Sequence, residues 1–290
     1  MLASAGHTDW ITVSVLLSRS ASDAVTRMGG ISITQYRVLI RLIMAPDGMT
    51  VSAIADELAH SKSAVTIALN GLERKKAVTR AYDSADKRVV TVRVTDAGRD
   101  LVARIDPAVK QVAHEFWSCY TDEELELTYR DSGATAENFN LAYRKDGSMS
   151  IENAYVDASW VIVFAITQQL KRANISLNEY RLLYLLYETP DGMRPSDAAR
   201  RLLLWSNEVA TTSSKLEQHG RIVRTRNDTD RRSCTLTITP SGVDKLKRIT
   251  PGVVETLRSS IVDLPAGAFD RYEAIARKVL SANRALHLMG

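Results

Sequence analysis

Apolar residues in the first half of the chain recur mostly at helical spacing, interrupted by one alternating stretch. Val65, Leu69 and Leu72 follow one another at i, i+4 and i+7, which predicts a helix that buries only a narrow stripe. Val90, Val92 and Val94 alternate with polar residues, as in a half-buried strand. The predicted elements are helices at 10–28, 34–44, 51–59 and 62–75, strands at 78–82 and 90–94, and a long helix after Gly98 with Pro107 near a kink or break.

The second half repeats this order, because residues 31–98 align without a gap with residues 175–242. The offset is 144, and 22 of the 68 aligned pairs are identical. The second half is therefore predicted to hold helices at 155–171, 177–187, 195–203 and 207–218, strands near Ile222 and at 234–238, and further helices to the C-terminus. One unit has been duplicated and fused. We expect two domains, residues 1–144 and 145–290.

Composition narrows the class of protein without identifying it. A hydrophobic content of 45% and a charged content of 25% are ordinary for a globular protein. The net charge of +4 permits a polyanionic partner but does not demand one. Cys119 and Cys234 occupy non-equivalent places in the repeat and do not form a disulfide framework. With no basic segment before Thr8 and no apolar run of transmembrane length, we expect a cytoplasmic protein.

Two short strands with a charged tip between them, placed after a helix, are typical of a winged helix-turn-helix. Here a helix ending in Leu-Glu precedes the strands, the tip reads Asp-Lys/Arg-Arg, and Thr-x-x-Gly follows. The residues of this pattern are Leu72, Glu73, Asp86, Lys87, Arg88, Thr95 and Gly98 in the first copy, and Leu216, Glu217, Gly220, Asp230, Arg231, Arg232, Thr239 and Gly242 in the second. In these residues the chain resembles the MarR (multiple antibiotic resistance regulator) family of winged-helix transcription factors, twice over.

The resemblance implies a mainly α fold with small β wings, an α+β class. Two winged helix-turn-helix domains would be joined through a helical, dimer-like platform with pseudo-two-fold symmetry. The long helices expected to build that platform span 9–28, 100–143, 151–173 and 245–288. The implied partner is double-stranded DNA with a pseudo-palindromic or asymmetric operator, since two recognition helices fit two half-sites.

The second helix of each motif fits the major groove, where small polar and basic side chains reach base edges and phosphates. The resemblance adds a minor-groove arginine at each wing tip, Arg88 and Arg232, which Asp86 and Asp230 would hold extended by a charge-assisted bond. The predicted DNA-binding residues are Ser61, Lys62, Ser63, Thr66, Asn70, Arg74, Lys87, Arg88, Ser206, Asn207, Thr211, Lys215, Arg231 and Arg232. The alternative interpretation of each tip is a solvated turn with a local ion pair.

The two predicted recognition helices differ on the face that would read bases. Between residues 61–71 and 205–215 only Val65 and Val209 match. Residues 61–80 hold five basic residues and one acidic residue, a balance of +4, whereas residues 205–224 hold three and two, a balance of +1. Where family members often carry a basic residue, this chain has Ile67 and Thr211. These differences predict an asymmetric operator that the first half grips more tightly.

Five aromatic residues lie on helices that would meet between the DNA-binding lobes and the dimer-like lobe, and the resemblance implies that they line a candidate pocket for an aromatic effector. They are Trp10, Tyr36, Trp117, Trp160 and Tyr180. The alternative is that each is a core aromatic. For metals, His114 and Cys119 lie five residues apart, which does not fit two ligands on one helix face. We expect no metal and no cofactor.

The sequence therefore predicts a sequence-specific transcriptional regulator, a repressor, acting as a monomeric pseudo-dimer or as a homodimer of fused chains. No glycine-rich nucleotide loop or nucleophile elbow occurs, and no residues are left over for a catalytic domain, so an enzyme is not expected. The alternative function is a winged-helix protein-interaction module that has lost DNA binding in one or both halves.

Overall fold

The computed structural model describes residues 6–58, 60–82, 90–138, 150–226, 234–260 and 268–287. The elements of the first repeat are α1 (Gly6–Gly29), α2 (Ile33–Met44), β1 (Met49–Thr50), α3 (Val51–Glu57), α4 (Lys62–Arg74), β2 (Val78–Tyr82), β3 (Val90–Val94), α5 (Asp96–Trp117) and α6 (Asp122–Asn138). Those of the second are α7 (Ile151–Arg172), α8 (Leu177–Tyr187), α9 (Pro195–Leu202), α10 (Ser206–Gln218), β4 (Ile222–Arg226), β5 (Cys234–Ile238), α11 (Pro240–Ser259) and α12 (Ala268–His287). The predicted α+β winged-helix class is confirmed.

Each wing is an antiparallel hairpin, and the register of the two hairpins is equivalent. Val78 pairs with Val94 in the first, and Ile222 pairs with Ile238 in the second. In the first repeat β1 adds a third strand to give the order β1-β3-β2. The corresponding residue of the second repeat, Met193, makes a single bridge to Leu236.

The Thr-x-x-Gly motif joins each wing to the long helix that follows it. The Thr95 hydroxyl accepts from the Gly98 N–H at 3.1 Å, which caps α5, and donates to the Lys76 carbonyl at 2.7 Å. Thr239 does the same for α11, with Gly242 as donor at 3.1 Å and Gly220 as acceptor at 2.7 Å. A single threonine therefore closes the helix end and ties it to the turn before the wing.

The long predicted helix after Gly98 is two helices. The first, α5, runs unbroken through Pro107 and ends at Trp117, and the second, α6, begins at Asp122. Of the kink or break expected near Pro107, the break was therefore wrong. Thr121 explains the new start: its hydroxyl accepts from the Glu124 N–H, and the Glu124 carboxylate accepts from the Thr121 N–H. This reciprocal pair is a capping box.

Contacts divide the chain into two compact units that do not coincide with the two repeats. One unit contains residues 17–161 and 260–262, and the other contains residues 1–16, 162–259 and 263–290. The boundary between the two units therefore falls inside α1 and inside α7. The first part of each helix belongs to one unit and the last part belongs to the other. The predicted bounds 1–144 and 145–290 describe the repeat and stay a prediction about domains. No helix among the described residues is long and apolar enough to span a membrane.

The close approach at Gly98 and Gly242 makes a testable prediction. A Cβ at Gly98 would overlap the Ala77 carbonyl oxygen, and one at Gly242 would overlap that of Arg221. Because backbone has to move, Gly98→Ala and Gly242→Ala should each lower the free energy of unfolding by about 1–3 kcal/mol. Urea denaturation measures this change.

Gly252→Ala in α11 is the matched control, because its Cβ would meet only the end of the flexible Gln169 side chain. Alanine favours a helix over glycine by up to about 1 kcal/mol, so this variant should be neutral or more stable. Equal losses in all three variants would show that the close approach does not matter.

Candidate nucleic-acid interface

The first recognition helix, α4, exposes the residues that the sequence predicts to meet DNA. Ser61 caps it by accepting from the Ala64 N–H at 3.2 Å. Val65, Leu69 and Leu72 are fully buried and hold one stripe of the helix. The opposite face is exposed and carries Ser61, Lys62, Ser63, Thr66, Asn70 and Arg74. The structure therefore places all six predicted residues of this helix on one accessible surface.

Polar contacts fix part of this surface. The Thr66 hydroxyl donates to the Lys62 carbonyl at 2.8 Å, and the Ser61 and Ser63 hydroxyls lie 3.0 Å apart. The Asn70 side-chain oxygen accepts from an Arg80 Nη at 2.8 Å. Because that oxygen is engaged, the Asn70 amide group presents its N–H₂ side as the group left for an acceptor.

An arginine on the first wing strand holds the end of each recognition helix. Arg80 on β2 pairs with Glu73 at 3.2 Å, and Arg224 on β4 pairs with Glu217 at 3.2 Å. These two arginines are repeat equivalents, and so are the two glutamates. Each arginine is therefore paired within its own repeat and adds little to the positive electrostatic potential of the exposed helix face. The first face keeps Lys62, Arg74, Lys75 and Lys76, which form no ion pair within the described part of the chain.

The second recognition helix, α10, is anchored by a more polar stripe. Val209 and Leu216 are fully buried, but Ser213 occupies the buried position that Leu69 holds in the first repeat. Its hydroxyl donates to the Val209 carbonyl at 2.6 Å and accepts from an Arg224 Nη at 2.7 Å. The same Nη reaches Ser214 at 2.9 Å. A buried hydroxyl is tolerated here because it is bonded on both sides.

The start of α10 differs from that of α4 in charge. Trp205, 71% exposed, takes the capping position, and its N–H donates to the Glu208 carboxylate at 2.8 Å. A negative group therefore sits at the helix end where a phosphate would otherwise be favoured. The predicted residues Ser206, Asn207, Thr211 and Lys215 are all exposed on this helix. A shallow groove separates them from the first turn of α8, Ser176 to Asn178.

The wing tips lie outside the described residues. This applies to the predicted DNA contacts Lys87, Arg88, Arg231 and Arg232, and to their supports Asp86 and Asp230. Their roles stay predictions. The strands that lead into each tip are paired to their last described residues, Tyr82 with Val90 and Arg226 with Cys234.

The five aromatics of the candidate effector pocket fall into both compact units. Trp10 and Tyr180 belong to the unit of residues 162–259: Trp10 stacks on Tyr272 at 5.2 Å, and the Tyr180 hydroxyl lies 2.8 Å from a ring nitrogen of His7. Tyr36, Trp117 and Trp160 belong to the other unit. There the Tyr36 hydroxyl donates to Asp106 at 2.9 Å and contacts Asn153 at 3.1 Å, and burial raises its pKa.

A buried charge cluster beside Trp160 was missed at the sequence level. The Asp157 carboxylate accepts from Arg37 and Arg41, all three side chains being at most 4% exposed. The Arg37 guanidinium also lies 5.1 Å from the centre of the Trp160 ring. Burial alone would raise the pKa of Asp157, but the two guanidiniums outweigh it and lower that pKa. No motif signals this cluster, because Asp157 lies 120 and 116 residues from its partners.

The cluster has more donors than acceptors. Both Nη atoms of Arg37, and Nε and one Nη of Arg41, are buried without a hydrogen-bond partner among the described residues. In the second repeat the equivalent Arg181 donates to Thr12, Asn178 and the Leu202 carbonyl, and Leu185 replaces Arg41. The first repeat therefore holds two buried cations against one carboxylate, and the second holds a single bonded arginine.

Comparison with known proteins finds similarity to each of the two repeats. Residues 29–89 and residues 175–234 each match a model of the MarR family. The uncharacterized HTH-type transcriptional regulator YpoP of Bacillus subtilis is 25% identical over 87 residues, 30% of this chain and 62% of that protein. The HTH-type transcriptional repressor MdtR of the same organism is 30% identical over 77 residues, 27% of this chain and 50% of MdtR. The chain thus spans about half to three fifths of these relatives.

Solved structures align with about half of the chain. AbsC of Streptomyces coelicolor, a MarR family transcriptional regulator, is 18% identical, with 49% of this chain and 98% of AbsC covered and a TM-score of 0.43. Sco3205 of the same organism, a MarR family regulator solved in complex with DNA, is 22% identical, with 48% and 89% covered and a TM-score of 0.43.

Proposed function

Because the chain carries two MarR-family units in tandem, we propose that it is a sequence-specific DNA-binding transcriptional regulator of the cytoplasm, and that it represses. The observation that carries this proposal is the exposed face of α4, where hydroxyls, an amide and cations lie opposite a fully buried apolar stripe. Such a face matches what the major groove and its phosphates offer. The relative MdtR, named a transcriptional repressor, supports the direction of regulation.

We further propose that one chain acts as a pseudo-dimer and supplies both recognition helices. Apart from β1, the described residues of each repeat have the same order of helices and strands, and each compact unit combines residues of both repeats, as the subunits of an intertwined dimer would. The half-sites would be bound unequally. Residues 61–76 offer a neutral cap and four cations, whereas residues 205–220 offer a carboxylate at the cap and Lys215, so we infer that the second half relies on the arginines of its wing.

The DNA function is tested on the wings. Arg88→Ala and Arg232→Ala should each weaken binding by about tenfold, roughly 1.4 kcal/mol, and reduce the salt dependence by about one phosphate contact. The measurement is a mobility-shift titration of the full chain against selected and random duplexes at several salt concentrations. Arg99→Ala removes an exposed arginine of α5 and serves as the charge-matched control.

Unchanged affinity and unchanged salt slope in both wing variants would contradict the role of the wings. A full chain that prefers no duplex over random DNA would favour the other function, a winged-helix module that binds proteins. Binding of a strictly palindromic site by two chains would contradict the pseudo-dimer and favour a homodimer.

The capping carboxylate of α10 gives a second prediction. Glu208→Gln keeps an oxygen for the Trp205 N–H but removes the negative charge near the DNA phosphates. Affinity should rise by about two- to fivefold at low salt, and the gain should shrink as salt screens the charge. Glu255→Gln, an exposed position of α11, makes the same charge change as a control. If the Glu208 variant binds like the parent at low salt, α10 does not approach phosphate.

A small effector is the second proposed function, and the Arg37–Arg41–Asp157 cluster favours an acidic aromatic one. Two buried guanidiniums have N–H groups without a hydrogen-bond partner among the described residues, and that of Arg37 lies beside the Trp160 ring. A ligand carboxylate would satisfy donors that Asp157 leaves unbonded. Such an effector would bind best to conformations in which the separation of the two recognition helices differs from the one that DNA requires. Its binding would lower the population of the conformation that binds DNA.

Arg41→Leu tests the effector proposal, because it introduces the residue that the second repeat has at this place, Leu185. The variant keeps one guanidinium for one carboxylate and should fold. For the parent chain, benzoate at 100 times its dissociation constant should stabilise by about 2.7 kcal/mol, whereas neutral benzyl alcohol should not. The variant should lose this response in a thermal unfolding assay. If benzoate does not raise the unfolding temperature of the parent chain, the result contradicts an acidic aromatic effector.

A further inference from the structure

Ile67 is an apolar side chain in the middle of a polar surface. It is 72% exposed, one of few large hydrophobic residues so exposed among the described residues. Ser63, Asn70 and Arg74 lie at i−4, i+3 and i+7 from it, so the four residues form one stripe along α4. A shallow depression joins Ile67 to Asn70 and Arg74.

The fold does not need an apolar residue at this position. The buried stripe of α4 is complete without it, since Val65, Leu69 and Leu72 are fully buried. The second repeat has Thr211 at the equivalent place, also exposed, with its hydroxyl donating to the Asn207 carbonyl at 2.9 Å. The packing of α4 therefore does not account for an apolar side chain at Ile67.

The bases present one apolar group in the major groove, the C5-methyl of thymine. Isoleucine in a helix keeps essentially one χ1 rotamer, so its Cγ2 methyl group occupies a fixed place on the helix surface. The neighbouring polar groups are partly committed: the Asn70 oxygen is bonded to Arg80. The stripe thus offers an apolar contact at its centre, with a hydrogen-bond donor and a cation toward its C-terminal end.

We propose that Ile67 reads the C5-methyl group of a thymine in the half-site bound by the first repeat, and so determines specificity there. The proposal rests on the DNA-binding function proposed above. Thr211 offers one methyl group instead of a branched apolar chain, so the methyl dependence should be concentrated in one half-site. The two halves of the operator would then differ in sequence requirement as well as in affinity.

The test removes the methyl group from the DNA. A duplex selected by the full chain from a random library is remade with deoxyuridine replacing each thymidine in turn, and affinities are measured by fluorescence anisotropy. Burying one methyl group is worth about 0.8 kcal/mol, or roughly fourfold in affinity. We expect that loss at one or two thymidines of one half-site for the parent chain. For Ile67→Ala we expect weaker binding overall and no further loss from deoxyuridine at those positions.

Met28→Ala is the matched control, because Met28 is an exposed apolar residue on α1, outside the recognition helix. It should keep the parental response to deoxyuridine. Ile67→Ala should fold, since the side chain is exposed and alanine favours helix. Equal deoxyuridine losses in the parent and in Ile67→Ala would assign the methyl contact to another residue and overturn the proposal.

Two other outcomes are distinguishable. Specific binding with a flat deoxyuridine scan overturns the methyl contact and leaves the regulator function standing. A flat scan together with a changed molecular size for Ile67→Ala would assign Ile67 to a contact between copies of the chain, and likewise overturn the proposal. Failure to select any duplex would overturn the proposed function itself.

Discussion

A helix that leaves one face exposed can be held only along the opposite stripe, and α4 and α10 each meet that constraint with two kinds of contact. The α4 side chains of Val65, Leu69 and Leu72 are buried. An arginine of the adjoining wing strand forms an ion pair with the glutamate near the C-terminal end of α4. In α10 a buried serine replaces one apolar side chain, and the equivalent arginine bonds it as well. Because the anchoring is complete without the outer face, that face was able to diverge between the repeats.

Burial of charge separates the two repeats in a second place. Taking a charge out of water is expensive unless it is paired and bonded. Arg181 meets this requirement with neutral acceptors, whereas Arg37 and Arg41 share one carboxylate and keep N–H groups that have no acceptor in the part of the chain that the structure describes. The sites of Arg37 and Arg181 therefore lie on equivalent helices and differ in charge, as the exposed faces of α4 and α10 do.

Most of the secondary structure could be predicted from the sequence, because helical spacing, strand alternation and the Thr-x-x-Gly motif are local signals. The break after Trp117 was missed, since Pro107 is the stronger local signal but lies inside an unbroken helix, while Thr121 and Glu124 form the cap that starts α6. The exposed residues of α4 and α10 could be predicted from periodicity. The Asp157 cluster could not, because pairing across more than 100 residues leaves no periodic trace.

The composition of the compact units has a consequence for how the chain folds during its synthesis. Residues 1–16 leave the ribosome before residues 162–259, with which they belong, whereas residues 17–161 can assemble as soon as they have emerged. At about 5–20 residues per second, the N-terminal segment waits on the order of 10–50 s for its partners. This segment includes Ile11 and Val13, which end fully or almost fully buried. Burial of this segment therefore waits for translation of residues 162–259, and its apolar side chains need protection during that delay.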